Sequence, residues 1–216
     1  PSGGFFLYNI FMKKFPDVIP VFPLSGVIYF PKTNLPLNIF EQRYLDLVND
    51  AYKKDKLMGM VQSKKGDSDV YDIGCLGKIS DYQKIKDGRI LINLTGISRF
   101  RILKEISSKK LYREFEVDYQ SFNEDIKSSY DKINTVILME KAKTFFKRNG
   151  LLLNWIEFEK LDHIQKINTL AMIAPITNEE KQKLLETVSL KNKVEILESI
   201  ISFYLHETNL NNQTIQ

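Results

Sequence analysis

One cysteine and two histidines, Cys75, His163 and His206, are the side chains here best suited to nucleophilic or imidazole chemistry near neutral pH. They stand far apart in the chain and form no ligand pair at short spacing, so they do not read as a metal site. Cys75 lies in "GCLG", a strand-like run, where a thiol packs as a small hydrophobe. A cysteine nucleophile needs a base beside it, and neither histidine is placed to serve. His163 follows Asp162 off the apolar stripe of its segment, and His206 lies near the end of the chain; both read as solvated. No G-x-x-x-x-G-K-[ST] loop is present to cradle phosphates. "LTGISRFR" lacks the G-x-S-x-G elbow that would expose a serine. The expectation is a chain without catalytic residues, metal or cofactor.

Recognition is the other chemistry to consider. Phe30, Phe40, Arg43 and Tyr44 cluster around "YFPKTNLPLNIFEQRY". Exposed aromatics anchor a bound segment, and a guanidinium positions a carboxylate through two parallel hydrogen bonds. The same four residues also suit a plain structural role, with the aromatics in a core and Arg43 paired to Glu41. Both readings stand at this point.

The elements that position these residues are short and bent. Proline donates nothing to a sheet ladder, so Pro23, Pro31 and Pro36 mark edges, strand starts or bulges. Val18–Val21 and Val27–Phe30 read as strand pieces joined by "PLSG", and Leu35, Leu37 and Ile39 alternate with Pro36 and Asn38. The period then changes. Tyr44, Leu45, Val48, Ala51 and Tyr52 make one helical stripe within about residues 41–55. "LMGMVQ" resumes as a strand, and Asp87-Gly88 turns a hairpin between two long arms, the second kinked at Gly96. Leu111–Tyr119 alternates again. Six or so antiparallel strands of this kind predict a small closed or nearly closed barrel over residues 17–120.

Residues 121–208 read as a helical bundle. A long helix with Tyr130, Ile133 and Ile137 ends at Asn149-Gly150, and a second around Ile164, Ile167 and Leu170 stops before Pro175. "TNEE" (Thr177–Glu180) is a capping box, in which hydroxyl and carboxylate each satisfy a backbone N–H. Leu190, Val194, Leu197, Ile201 and Tyr204 step along a last helix. Residues 1–16 are expected to be a leader or disordered start, with Met12 a natural beginning, and 209–216 a disordered tail.

Composition narrows the class. The 216 residues are 43% hydrophobic and 27% charged, ordinary for a globular protein. A single cysteine suits a reducing, cytoplasmic setting. No apolar stretch approaches the roughly 20 residues that span a bilayer, so no membrane partner is expected. The net charge of +4 is uneven: residues 1–120 carry +5 and the remainder −1. That basic half leaves nucleic acid as an alternative partner. However, only six of the 31 basic residues are arginine, the side chain suited to forked phosphate contact. Nucleic-acid binding would require Lys53, Lys54, Lys64, Lys65, Lys84 and Lys86 to converge on one face.

"IPVFPLSGVIYFPKTNLPLNIFEQRYLDLVNDA", then "MGMVQ", "YDIGCLGKI" and "DGRILINLTGISRFRI", in that order, resemble the N-terminal substrate-binding domain of the ATP-dependent Lon protease. More narrowly, the chain is similar to stand-alone bacterial Lon N-terminal-domain proteins. The likeness runs from about Asp17 to Tyr204 and includes "LAMIAPITNEEKQKLLE". Ser25, Lys32, Gln42 and Asn38 depart from what relatives often carry, which alters turn stiffness and leaves the pattern intact. The resemblance implies a PUA-like barrel followed by a helical bundle. It also implies a non-enzymatic module that binds unfolded or extended protein segments, as an adaptor or holdase in protein quality control, with a Lon-type protease as a candidate partner. ATP hydrolysis and Ser-Lys peptidase chemistry belong to later domains of full-length Lon. An RNA-binding PUA-like module is the alternative. A client is expected between the N-terminal strands, the helix beginning at Glu41 and the first C-terminal helix.

Overall fold

A computed structural model describes residues 15–64, 69–126 and 133–213, with side chains described as far as residue 207. The chain divides into two compact units, residues 1–127 and 128–216.

The first unit is a mixed sheet with one packed α-helix. Its strands are β1 (Val18–Leu24), β2 (Asn34–Ile39), β3 (Leu57–Gln62), β4 (Ile73–Lys84), β5 (Ile90–Ile106) and β6 (Arg113–Asp118). Helix α1 (Gln42–Lys53) lies between β2 and β3, and a 3-10 segment, Gln120–Ile126, follows β6. The sheet order is β2-β5-β4-β3-β1-β6, and β6 also pairs with β5. The pairings from β5 through β4, β3, β1 and β6 therefore return to β5. Length makes this closure achievable: β5 gives its first half, Ile90–Thr95, to β2 and its end, Arg101–Ile106, to β6.

A bulge turns β5 between those two tasks. The register moves from Gly77↔Gly96 to Leu76↔Ser98, so Ile97 is the extra residue. Such an insertion bends and twists a strand without ending it. The sequence places a kink at Gly96, and the structure resolves it into this bulge within one unbroken strand. Gly96 also has to be a glycine, because a Cβ there would press into the Phe30 carbonyl oxygen.

Two expectations need correction. Val27–Phe30 is not a strand, since residues 25–33 form a loop. Its last carbonyl is held by the turn that follows: the Phe30 oxygen accepts from the Thr33 N–H at 3.3 Å and from Thr33 Oγ1 at 2.7 Å. Nor is the sheet wholly antiparallel, because β1 and β3 run parallel. The chain between them passes through β2 and α1, long enough for a crossover, which a parallel pair requires.

Ile19, Val21, Val61, Leu76, Phe100, Phe115 and Val117 form a buried core cluster in this unit. Full burial of each such side chain contributes about 1.5–3 kcal/mol. One ion pair is buried with them. Arg99, with a side chain 2% exposed, meets the Asp125 carboxylate at 2.8 Å. The Asp125 carboxylate also accepts from the Arg99 backbone N–H and Nε, at 2.8 and 2.9 Å. The Arg99 guanidinium lies 4.5 Å over the Phe122 ring. These contacts latch the 3-10 segment onto the sheet.

The second unit contains α2 (Val136–Arg148), α3 (Trp155–Glu159), α4 (His163–Ile173), α5 (Asn178–Glu186) and α6 (Leu190–Gln213). Helix α2 ends as expected at Asn149-Gly150, with Gly150 at φ +67°. The Thr177–Glu180 capping box is formed at α5, and an equivalent one, Asp162 with Gln165, opens α4. The first helix starts later than expected: Ile133 precedes it, the N-cap is Thr135, and Tyr130 lies outside the described residues, as do residues 1–14 and 214–216. Helix α6 runs past residue 208, where the sequence reading ends it; the polar run that follows holds no Gly or Pro to stop it. Short α3, capped by the Asn154 side chain, was not legible beforehand. Val194, Leu197 and Ile201 of α6 are buried, so that stripe faces the core of the unit. Among the described residues, no helix is long and apolar enough to cross a membrane.

Candidate functional site

The junction between β2 and α1 holds the candidate residues Phe40, Arg43 and Tyr44. Ile39, the last residue of β2, is buried, whereas Phe40 beside it is 67% exposed. Glu41 is the N-cap of α1 in extended backbone, and its side chain caps nothing. Its carboxylate instead accepts from Arg43, at 3.0 Å from Nε and 2.9 Å from the nearer terminal nitrogen. The Arg43 guanidinium also lies 4.5 Å over the Tyr44 ring, which packs 4.1 Å from the ring of Phe22. The result is a column from surface to core: guanidinium, phenol, phenyl.

The four named residues therefore divide. Phe30 is wholly buried and Tyr44 nearly so. Phe40 and Arg43 remain at the surface, three residues apart at the mouth of α1. Exposed ion pairs contribute about 0.2–1 kcal/mol, so Arg43 can exchange Glu41 for another carboxylate at little cost.

The adjoining strand has a distinctive edge. The Gly96 N–H donates to the Thr33 carbonyl at 2.9 Å, and Thr33 aligns with Gly96 in the register that pairs Asn34 with Thr95. Antiparallel pairs alternate between bonded and non-bonded. Leu35, Leu37 and Ile39 are therefore the bonded partners of β5, while Asn34, Pro36 and Asn38 turn their backbone groups away from it. Pro36 thus sits in a strand without costing a ladder bond. Among the described strands, β2 pairs with β5 alone. Asn34, Pro36 and Asn38 are exposed.

Of the residues with reactive side chains, Cys75 belongs to the first unit and His163 and His206 to the second. Cys75 is fully buried, its thiol donating weakly to the Leu76 carbonyl at 3.6 Å. Burial pushes the Tyr29 phenol well above its usual pKa, with the nearby Cys75 adding to the effect. His163, expected to be solvated, instead opens α4 half-buried with Nε2 shielded from solvent, whereas His206 lies on the exposed side of α6 as expected. Among the described residues, no group of three His, Cys, Asp or Glu is placed to hold a metal ion. Of the lysines that nucleic-acid binding would recruit, Lys64 pairs with Asp69 at 3.7 Å and Lys65 lies outside the described residues.

The second unit exposes apolar surface that the sequence reading did not single out. Leu152 is completely exposed and Ile156 76% exposed, with Leu151 beside them. The signal was "LLLNWI", an apolar run directly after the Asn149-Gly150 stop.

The first unit is thus a mixed sheet with one packed helix, whose β2 edge, among the described residues, pairs with no strand beyond β5 and ends beside the exposed Phe40. The family model for the ATP-dependent protease La (LON) substrate-binding domain matches residues 18–202, and the chain belongs to that family. It is 28% identical over 208 residues to the Lon protease of Syntrophus aciditrophicus, covering 89% of this chain and 26% of that protein. It is 25% identical over 203 residues to Lon protease 2 of Myxococcus xanthus, covering 88% and 24%. The chain thus spans about a quarter of the length of these relatives. In fold it is similar to the crystal structure of a Lon N-terminal domain protein from Xanthomonas campestris, at 22% identity and TM-score 0.61, covering 84% of this chain and 97% of that one. The N-terminal domain of Mycobacterium avium complex Lon protease aligns with TM-score 0.62 at 17% identity, covering 86% and 98%.

Proposed function

We propose that this chain binds exposed, extended segments of other polypeptides without chemistry of its own, acting as an adaptor or holdase. The observation that carries this reading is membership of the LON substrate-binding family over residues 18–202. The strand unit is read as a PUA-like barrel, on the closed circuit of strand pairings. Phe40 is the apolar anchor and Arg43 the partner for a client carboxylate; Phe30 and Tyr44 act from beneath, as the packing that holds this corner rigid. Wherever polypeptide segments are unfolded, apolar side chains and unpaired backbone are on offer together, and this corner presents a complement to each.

The test is equilibrium binding of the purified chain to reduced, carboxymethylated casein, with native casein and a single-stranded RNA as competitors. Carboxymethylated casein should bind, with an affinity that changes by less than about tenfold between 50 and 200 mM salt. Binding through roughly five phosphate contacts would instead lose about 10²–10³ over that range. A steep salt slope with tight RNA binding overturns the proposal. Phe40→Ala should weaken casein binding and leave the melting temperature unchanged, because so exposed a ring packs against little.

A further inference from the structure

We infer that the outer edge of β2 is a backbone-pairing site, which takes one extended segment of another polypeptide as an added strand ending beside Phe40. This rests on the polypeptide-binding reading above and specifies where and how the segment is held. Asn34, Pro36 and Asn38 turn their backbone groups away from β5, and all three residues are exposed. The edge therefore presents three carbonyl acceptors but two N–H donors, because Pro36 has none. Unpaired groups in this arrangement are a template for a further strand.

Pro36 decides which chain fits. In a second copy paired antiparallel about this position, Pro36 faces Pro36. Both bonds of the central pair are then missing, and two carbonyl oxygens confront each other without a donor. A client strand that carries its own N–H at that position loses one bond instead of two. The edge is thus guarded against its own copies and open to other polypeptides. Side chains set the second preference. Leu35 and Leu37 are half-buried on one face, while Asn34, Pro36 and Asn38 are exposed on the other. An added strand covers the remaining surface of the two leucines, which favours apolar client residues at every second position.

The probe is a fluorescein-labelled nonapeptide of alternating valine and threonine between terminal lysines, titrated with the full chain by fluorescence anisotropy. Asn38→Pro removes one outward donor and none of the bonds to β5; it should weaken peptide binding about fivefold, the worth of one hydrogen bond. Pro36→Val supplies the missing donor. It should tighten binding by a similar factor and make the chain self-associate in analytical ultracentrifugation. N-methylation of alternate peptide residues should abolish binding for one set of positions and spare the other. Where Asn38→Pro fails to fold, Pro36→Val and the methylated peptides decide alone. If the peptide binds but neither variant nor either methylation set alters it, the edge is wrong while polypeptide binding stands. A parent chain that already dimerises through β2 overturns the choice of occupant. Failure to bind both the peptide and carboxymethylated casein overturns the edge and the proposed function together.

Discussion

The two units solve the problem of specifying a fold in opposite ways. The strand unit relies on contacts between residues distant in sequence: Arg99 with Asp125 in the interior, Gly96 against the Phe30 carbonyl, β1 beside β3. The helical unit relies on local devices, two capping boxes and an apolar seam, and its ion pairs lie nearer the surface. Lys141 and Glu198, for example, meet at 2.7 Å with each side chain about a third exposed. Exposed apolar surface, by contrast, is shared: the strand unit buries most of its aromatics but leaves Phe40, Leu103 and Leu111 out, and the helical unit leaves Leu152, Ile156, Val136 and Phe203 exposed. Long-range constraint makes the first unit exacting, and local constraint makes the second tolerant.

The sharpest test sets one buried pair against one exposed pair. Asp125→Ala leaves the Arg99 guanidinium buried without its carboxylate, which should cost about 3–5 kcal/mol. Glu198→Ala removes a solvent-screened partner and should cost at most about 1 kcal/mol. Urea unfolding of both variants gives the two values. Equal costs would break the comparison, since the strand unit's interior would then be no more exacting than the helical surface.

Two glycines sharpen it next. A methyl group at Gly96 meets backbone oxygen, which cannot swing aside, so Gly96→Ala should cost about 1–3 kcal/mol or more through forced backbone shifts. Gly150 has open space around its Cβ position but a φ of +67°, so Gly150→Ala carries conformational strain alone, about 1–2 kcal/mol. Hydrogen exchange at single amides locates each loss: across β2 and β5 for the first, at the end of α2 for the second.

Thr177→Ala comes lower. It removes the hydroxyl that accepts the Glu180 N–H at 3.2 Å, worth about 1 kcal/mol at a helix N-cap. Thr177→Ser should restore nearly all of it. A loss spread beyond α5 in hydrogen exchange would argue that the cap does more than start one helix.

That cap was readable because everything it needs lies within four residues. The Asn149-Gly150 stop, the stripe of α1 and the alternation of β2 are likewise local, each written within one short run of sequence. What could not be read depended on distance. Nothing local announces that β1 and β3 run parallel, or that Asp125 would reach the Arg99 backbone and side chain at once. Val27–Phe30 looked like a strand because its side chains suit one; Thr33, by bonding back to Phe30, turned it into a loop. The candidate site residues were half legible for a related reason. Residue type pointed to Phe30, Phe40, Arg43 and Tyr44 alike, but exposure is set by packing, and packing kept Phe40 and Arg43 at the surface. The column of Arg43, Tyr44 and Phe22 joins adjacent residues to one about twenty positions earlier, which spacing alone does not show.

The smallest expected effect concerns a defect in the exacting unit. Tyr29 is buried, and its hydroxyl finds no hydrogen-bond partner among the described residues. A buried hydroxyl without a partner carries an uncompensated desolvation cost. Tyr29→Phe removes that cost and leaves a gap of one oxygen atom beside Gly77, so stability at pH 7 should be unchanged or slightly higher. pH then separates this account from a neutral substitution. Burial raises the phenol's pKa in the folded chain above its ordinary value of 10.0. Above that pH the unfolded chain releases the proton and the folded chain keeps it. Fewer protons are bound on unfolding, so the parent loses up to about 1.4 kcal/mol per pH unit through this one residue. Phenylalanine has no proton to lose, so the stability difference in favour of the variant should widen as pH rises past 10. Urea unfolding of both proteins at pH 7, 9.5 and 10.5 measures this directly. A clear loss at pH 7 would mean that a bound water or a neighbouring group satisfies the hydroxyl, and that the strand unit's interior is complete at this position too.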